Sequence, residues 1–296
     1  MIPDVPSATR QGQAAAGPFP GAREVEALAS HYKLLLPETR RRRLGDSHGR
    51  AAGGSIEFHD RREFALGDDL RHVDWRGYAR SDRMLIKLYR EETVPTAELV
   101  VDGSASMAIT GGKNLLKMQL SWFFECAARS AQTRIKIWSM GRHPVPASSA
   151  FELARFDPHP IENWLPALAG GPGLSRCGLR IFLSDFLFSF SPSELELAMS
   201  RADKTILVQL MSDFEADPAT AGPGALVRLE NAEGPSHVEV RLDETTVREY
   251  RKRLAALQEE MNAVARRNRG ELVILKESDS LAACAQKLVR AGVVIL

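Results

Sequence analysis

Residues 97–107, Ala97-Glu98-Leu99-Val100-Val101-Asp102-Gly103-Ser104-Ala105-Ser106-Met107, hold the side chains best suited to chemistry in this chain. A short apolar run reads as a buried strand and ends in a carboxylate followed by two hydroxyls at alternate positions, Asp102, Ser104 and Ser106. On a turn leaving the carboxyl end of a strand, this D-x-S-x-S spacing can aim three oxygens at one point. A hard divalent cation takes one anionic oxygen, a few neutral ones and retained water at such a point. The same residues also suit a strand end followed by a serine turn that caps the next helix. Five residues leave both readings open.

The surrounding pattern supplies elements to position them. From residue 97, short apolar runs alternate with helical periodicity. Strands are expected at 99–101, 135–138, 179–183, 205–210, 272–275 and 293–296, and helices at 114–131, 193–202, 245–269 and 279–291. Residues 161–168 read as a helix interrupted at Pro166. Runs at 226–229 and 237–242 flank a turn at 231–234 and predict a hairpin. Strands alternating with helices imply an α/β fold with a doubly wound, mostly parallel sheet. In such a sheet the functional crevice lies outside the carboxyl ends of the strands. A second strand ends there in a carboxylate, Ser184-Asp185. Asp185 is therefore expected to face Asp102, and two carboxylates so placed repel unless a cation or proton intervenes.

Bulk composition narrows the classes. The chain has 296 residues, 44% hydrophobic and 26% charged, enough for a sizeable core in one large domain or two small ones. A formal net charge of +1 gives no global field to draw nucleic acid or anionic membrane. Cys126, Cys177 and Cys284 lack metal-type spacing and suit reduced thiols of the cytoplasm. Residues 1–22 read as a disordered tail without a signal-type apolar region, and no window is apolar enough to span a membrane.

Residues 23–36 carry apolar side chains at helical spacing and stop before Pro37. Arg40, Arg41, Arg42 and Arg43 form a basic run that suits phosphate or, more simply, solvent and intramolecular pairing. Residues 55–95 are dense in charge. Gly67-Asp68-Asp69 signals a turn, Asp74 an N-cap for a short helix 75–80, and residues 84–89 a strand. These charges suit either a binding site or an ion-pair lattice that holds an extended segment poor in apolar residues.

Two resemblances follow from these residues. Asp102-x-Ser104-x-Ser106 with Asp185 resembles the metal-ion-dependent adhesion site of von Willebrand factor A domains. Glu57-Phe58, Arg62, Phe64, Gly67-Asp68-Asp69, Arg71, Val73-Asp74-Trp75, Ala79-Arg80 and Glu91-Glu92 resemble the hallmark of the bacterial domain of unknown function 58 family. The likeness runs from about residue 40 to the end. It implies a von Willebrand A or Rossmann-like sheet with the charged segment packed on it and a late β-hairpin. The implied divisions are a tail 1–22, a helix and charged segment 23–95, and an α/β domain 96–296. It also implies association with a MoxR-type AAA+ ATPase and a client protein. Two departures matter: many members carry membrane spans before this region, and the site usually takes a threonine that residues 156–168 lack. Glu162 lies nearest that missing position, with Asp157 and Asn163 beside it. Three outcomes stay open: Mg²⁺ held by Asp102, Ser104, Ser106 and Asp185 with added water, Glu162 as a substitute ligand, or a vestigial site whose two serines only cap the helix.

No nucleophile, base and partner assemble into an enzyme pattern, and no phosphate-binding Gly-x-x-x-x-Gly-Lys-Ser/Thr loop is present. The leading expectation is a non-enzymatic, cytoplasmic protein-binding module. The alternative is a metal-dependent phosphoryl or ester hydrolase, with Ser104 or Arg80 on the substrate. Nucleic-acid binding through the four arginines is a third, disfavoured by the neutral charge balance.

Overall fold

The computed structural model describes residues 19–37, 56–65, 68–91, 95–170 and 174–296. The basic run at 40–43 and Gly67 lie outside the described residues, as does most of the expected tail. Helix α1 (Ala22–Ala29) and strand β1 (Lys33–Leu34) come first. Strand β2 (Ile56–Glu63), helix α2 (Trp75–Ser81) and strand β3 (Leu85–Glu91) form the charged segment. Then follow β4 (Thr96–Asp102), α3 (Gly111–Ser130), β5 (Arg134–Met140), β6 (Val145–Ala147) and α4 (Leu165–Gly170). The chain continues with β7 (Cys177–Ser184), α5 (Pro192–Met199), β8 (Ala202–Met211) and α6 (Asp213–Ala216). Strands β9 (Leu226–Glu230) and β10 (His237–Arg241), helix α7 (Glu244–Arg267), β11 (Gly270–Lys276), α8 (Leu281–Arg290) and β12 (Val294–Ile295) complete it.

Two compact units emerge, residues 36–95 and the remainder. The N-terminal helix therefore belongs with the α/β unit rather than with the charged segment. The reason is local: β1 pairs antiparallel with β12, Lys33 opposite Ile295 and Leu34 opposite Val294. Helix α1 packs on α3, and Val25 and Ala29 are buried. Order also begins before residue 22, because Phe19 is buried with its ring edge against Phe151.

The larger unit is built on a six-stranded sheet in the order β11-β8-β7-β4-β5-β6. Every pairing is parallel except β5 with β6. Strands β4 and β7 are apolar along most of their length because both faces of a parallel sheet are covered. Helix α3 touches α1 and α8 in one layer, and α5 touches α4 and α7 in another. Trp164, Phe182, Phe186, Leu207 and Met261 centre the second layer's core. The chain steps from β4 to β5 on one side, then returns to β7 on the other. That reversal puts the switch point at β4 and β7, where a crevice is expected.

Pro166 does not interrupt a helix. It sits in the first turn of α4, where a missing N–H costs nothing. Among the described residues no helix is long and apolar enough to cross a membrane.

Unit 36–95 contains an antiparallel pair, β2 with β3, irregular between Phe58 and Asp60. Arg62 donates to both Asp68 oxygens at 2.5 and 2.6 Å, and Asp68 also accepts from Ala65 N. This fork holds the Asp68 carboxyl below its ordinary range. Asp69 accepts from Arg71 N, and Asp74 caps α2 by accepting from Gly77 N. Trp75 and Arg80 are exposed. Asp68, Asp69 and Asp74 are thus used in an ion pair and as caps.

Candidate functional site

Strand β4 delivers Asp102 to the carboxyl edge, and register decides its neighbour. Val101 pairs with Leu183, so Asp102 falls level with Ser184. The Ser184 hydroxyl donates to Asp102 Oδ2 at 2.5 Å, and Ser104 N donates to Oδ1 at 2.8 Å. Gly103 makes the turn: its N–H bonds Met140 O, and an added Cβ would lie 2.6 Å from that oxygen. The Ser104 and Ser106 hydroxyls are 3.0 Å apart. Ser104 precedes a 3-10 turn at Ala105–Ala108, yet its side chain makes no cap bond there. Asp102, Ser104 and Asp185 are all buried.

Helix α3 brings the opposite charge. Thr110 caps it by accepting from Lys113 N, and Lys113 points its ammonium inward with no solvent exposure. Nζ donates to Asp185 Oδ2 at 2.9 Å and to Glu215 Oε1 and Oε2 at 2.8 and 2.9 Å. Glu215 is set by α6, whose Ser212 and Glu215 form a reciprocal capping box. One turn after Lys113, Lys117 is buried on the same helix face. Burial pushes the Asp102 carboxyl above its ordinary range, reinforced by Asp185, while the Ser104 and Ser184 hydrogen bonds oppose the rise. Burial likewise pushes the Lys117 ammonium down, partly offset by Asp102. A cavity of about 10 Å³, the size of one water, lies beside Asp102, Lys117 and Ser139.

Residues 156–168 take the place where a threonine was missed. The loop runs alongside 103–105 through a bridge between Ser104 and His159: Ala105 N donates to His159 O, and His159 N to Gly103 O. Glu162 does not complete the cluster. Its side chain is exposed and makes no hydrogen bond to Asp102, Ser104, Ser106 or Asp185. The carboxylate that does arrive comes from the hairpin turn. Glu233 accepts from Ser106 N through Oε1 at 2.8 Å and from Ile161 N through Oε2 at 2.5 Å.

The structure thus brings Asp102, Ser104, Ser106 and Asp185 together and adds Ser184, Lys113, Lys117, Glu215 and Glu233. Three of the additions, Glu215, Lys113 and Lys117, left traces in the sequence. Ser212-Asp-Phe-Glu215 is a capping box, and Lys113 with Lys117 is a pair of charges opening an apolar helix. Glu233 left none.

The chemistry of this donor set tests the expected Mg²⁺. Both Asp102 oxygens accept bonds from protein groups. Asp185 gives one oxygen to Leu187 N and the other to Lys113, and the two serine hydroxyls bond each other. A divalent ion would share the cluster with two lysines, and like charges at that range repel. The residues do not fit Mg²⁺ while Lys113 is in place. Among the described residues, no group of three or more His, Cys, Asp or Glu side chains is disposed to hold a metal ion.

Fold and site define an α/β protein with an acid–lysine cluster at the switch point of a mostly parallel sheet. A family model described as protein of unknown function DUF58 matches residues 60–136, which run from the charged segment through β4 and α3 into β5. That match supports the family resemblance drawn from the sequence over this stretch. The match takes in Asp102, Ser104, Ser106, Lys113 and Lys117; Asp185, Glu215 and Glu233 lie beyond it. No curated protein matches the chain.

Proposed function

We propose that the α/β unit is a von Willebrand A-like binding module that engages a protein partner across the carboxyl edge of its sheet. The observation that carries this reading is the convergence of Asp102, Ser104, Ser106 and Asp185 at the switch point, braced from below by Lys113. Adhesion-type sites present such loops to a partner. Here Lys113 supplies the positive charge that Mg²⁺ would bring.

The family resemblance names the partner class: a MoxR-type AAA+ ATPase acting on a client protein. The test is recovery of such an ATPase on the immobilised protein, compared with Asp102→Ala and Asp185→Ala. Each substitution is expected to lower recovery at least tenfold, with circular dichroism confirming that the sheet persists. Equal recovery from folded variants would move the interface to another surface.

A further inference from the structure

Lys117 and Ser139 are each more than nine-tenths buried, at 7% and 8% exposure. Lys117 stands on α3 one turn after Lys113, and Ser139 lies near the end of β5, level with Val101. Among the described residues, neither side chain makes a hydrogen bond to a protein group, and Lys117 makes no ion pair. Polar groups this deep in a protein are ordinarily bonded. The two line the same cavity beside Asp102, with Leu153, Phe156 and Pro158 as its apolar wall. The charges of Asp102 and Lys113 reach Lys117, but from beyond ion-pair range. Its ammonium and the Ser139 hydroxyl therefore keep their bonding capacity for whatever enters the cavity.

An amine stripped of water in an apolar setting, with a second cation beside it, is how proteins make lysine a nucleophile toward carbonyl compounds. Both conditions hold at Lys117, where Leu153, Phe156 and Pro158 face the cavity and Lys113 lies four residues earlier on the helix. Ser139 adds an uncommitted donor for an oxygen on which negative charge gathers. Size selects among carbonyl compounds. A space for one water takes the carbonyl end of a short aldehyde, and the partly open mouth takes the remaining carbon. A ring or a long chain has no room.

We propose that Lys117 Nζ is a nucleophilic amine that condenses with short aliphatic aldehydes in this cavity, with Ser139 steadying the carbonyl oxygen. One ammonium proton passes to solvent, the freed lone pair bonds to the carbonyl carbon, and the C=O π pair moves onto oxygen. Nitrogen then gives that oxygen a second proton, forming a carbinolamine. The first proton returns to the hydroxyl, which leaves as water while the nitrogen lone pair closes the C=N bond. Ammonium and aldehyde thus become iminium and water, with charge conserved and nothing oxidised or reduced. The positive charge stays within reach of Asp102, which serves as its counter-ion.

The test uses the full chain with acetaldehyde, trapping the imine by sodium cyanoborohydride and locating ethylated lysines by peptide mass spectrometry. Exposed Lys252 on α7 is the internal reference. Lys117 is expected to be ethylated about tenfold faster than Lys252. Ser139→Ala should slow Lys117 by a similar factor and leave Lys252 unchanged. Benzaldehyde should label Lys252 and spare Lys117. Labelling of Lys117 no faster than Lys252 overturns the proposal, as does an unchanged Lys117 rate in folded Ser139→Ala. Benzaldehyde labelling Lys117 as readily as acetaldehyde also overturns it, because the amine would then react after local opening and not in the cavity.

Discussion

Lys113 carries its charge into a place with no solvent contact, where Asp185 and Glu215 must neutralise it. Removing one partner of a buried pair leaves the others desolvated and uncompensated, at a cost of about 3–5 kcal/mol. Lys113→Met is accordingly expected to lower stability by that amount in urea titration. Calorimetry adds a second readout: Mg²⁺ should give no heat with wild type and a measurable heat with folded Lys113→Met. An Asp102-dependent heat in wild type would refute the view that lysine replaces the cation. Protons test the same residues. Asp102 ionises near pH ~4 when unfolded, but in the native state burial and then Asp185 raise its pKa. Between the two values the native state holds more protons, so this group's contribution falls as pH rises and is constant above the native value. Asp68 and Asp217, held down by Arg62 and Arg251, act oppositely, and their contribution is lost as pH falls below the ordinary carboxylate range. Urea titrations of Asp102→Asn from about pH 4 to 7 should lose part of the decline that wild type shows; parallel curves would exclude Asp102 as the buried titrating group.

The turn after β4 holds two serines in line only because Gly103 lets the chain pass against β5. Gly103→Ala would drive a methyl to 2.6 Å from Met140 O, a backbone atom that cannot move without disturbing β5. The expected cost is about 1–3 kcal/mol, with altered amide shifts at Ser104 and Ser106 and weaker partner recovery. A variant with wild-type thermal stability would show that the turn has slack. The hairpin makes the contrasting case. Its pairing register puts Val227, Leu229, Val238 and Val240 on one face, yet Leu229 and Val238 remain exposed. Strand pairing is sound there while attachment is weak.

The larger unit is assembled from both ends of the chain. Deleting residues 1–35 would strip β1 from β12 and uncover the surface that Val25 and Leu34 bury, each worth roughly 1.5–3 kcal/mol. That deletion is expected to lower the melting temperature by several degrees or more. Replacing residues 36–95 with a flexible Gly/Ser linker should leave a cooperative melt, because the buried core of the larger unit comes from its own segments. A broad, non-cooperative transition in the linked protein would show that the charged segment is needed for folding.

Much of the strand and helix pattern was legible in the chain itself, since apolar period and caps are local: Asp74 begins its helix as short-range chemistry dictates, whereas the short elements β2, β6 and α6 carried too little periodicity to be read. Asp102 and Asp185 were legible as strand-end carboxylates because a parallel sheet collects such ends along one edge. Who neutralises them was not. Lys113 reaches Asp185 across 72 residues and Glu215 across 102, while Glu233 crosses 127 to Ser106, and no local pattern encodes such distances. Strand order and register decided those meetings, and with them which side chains face the two strand-end carboxylates.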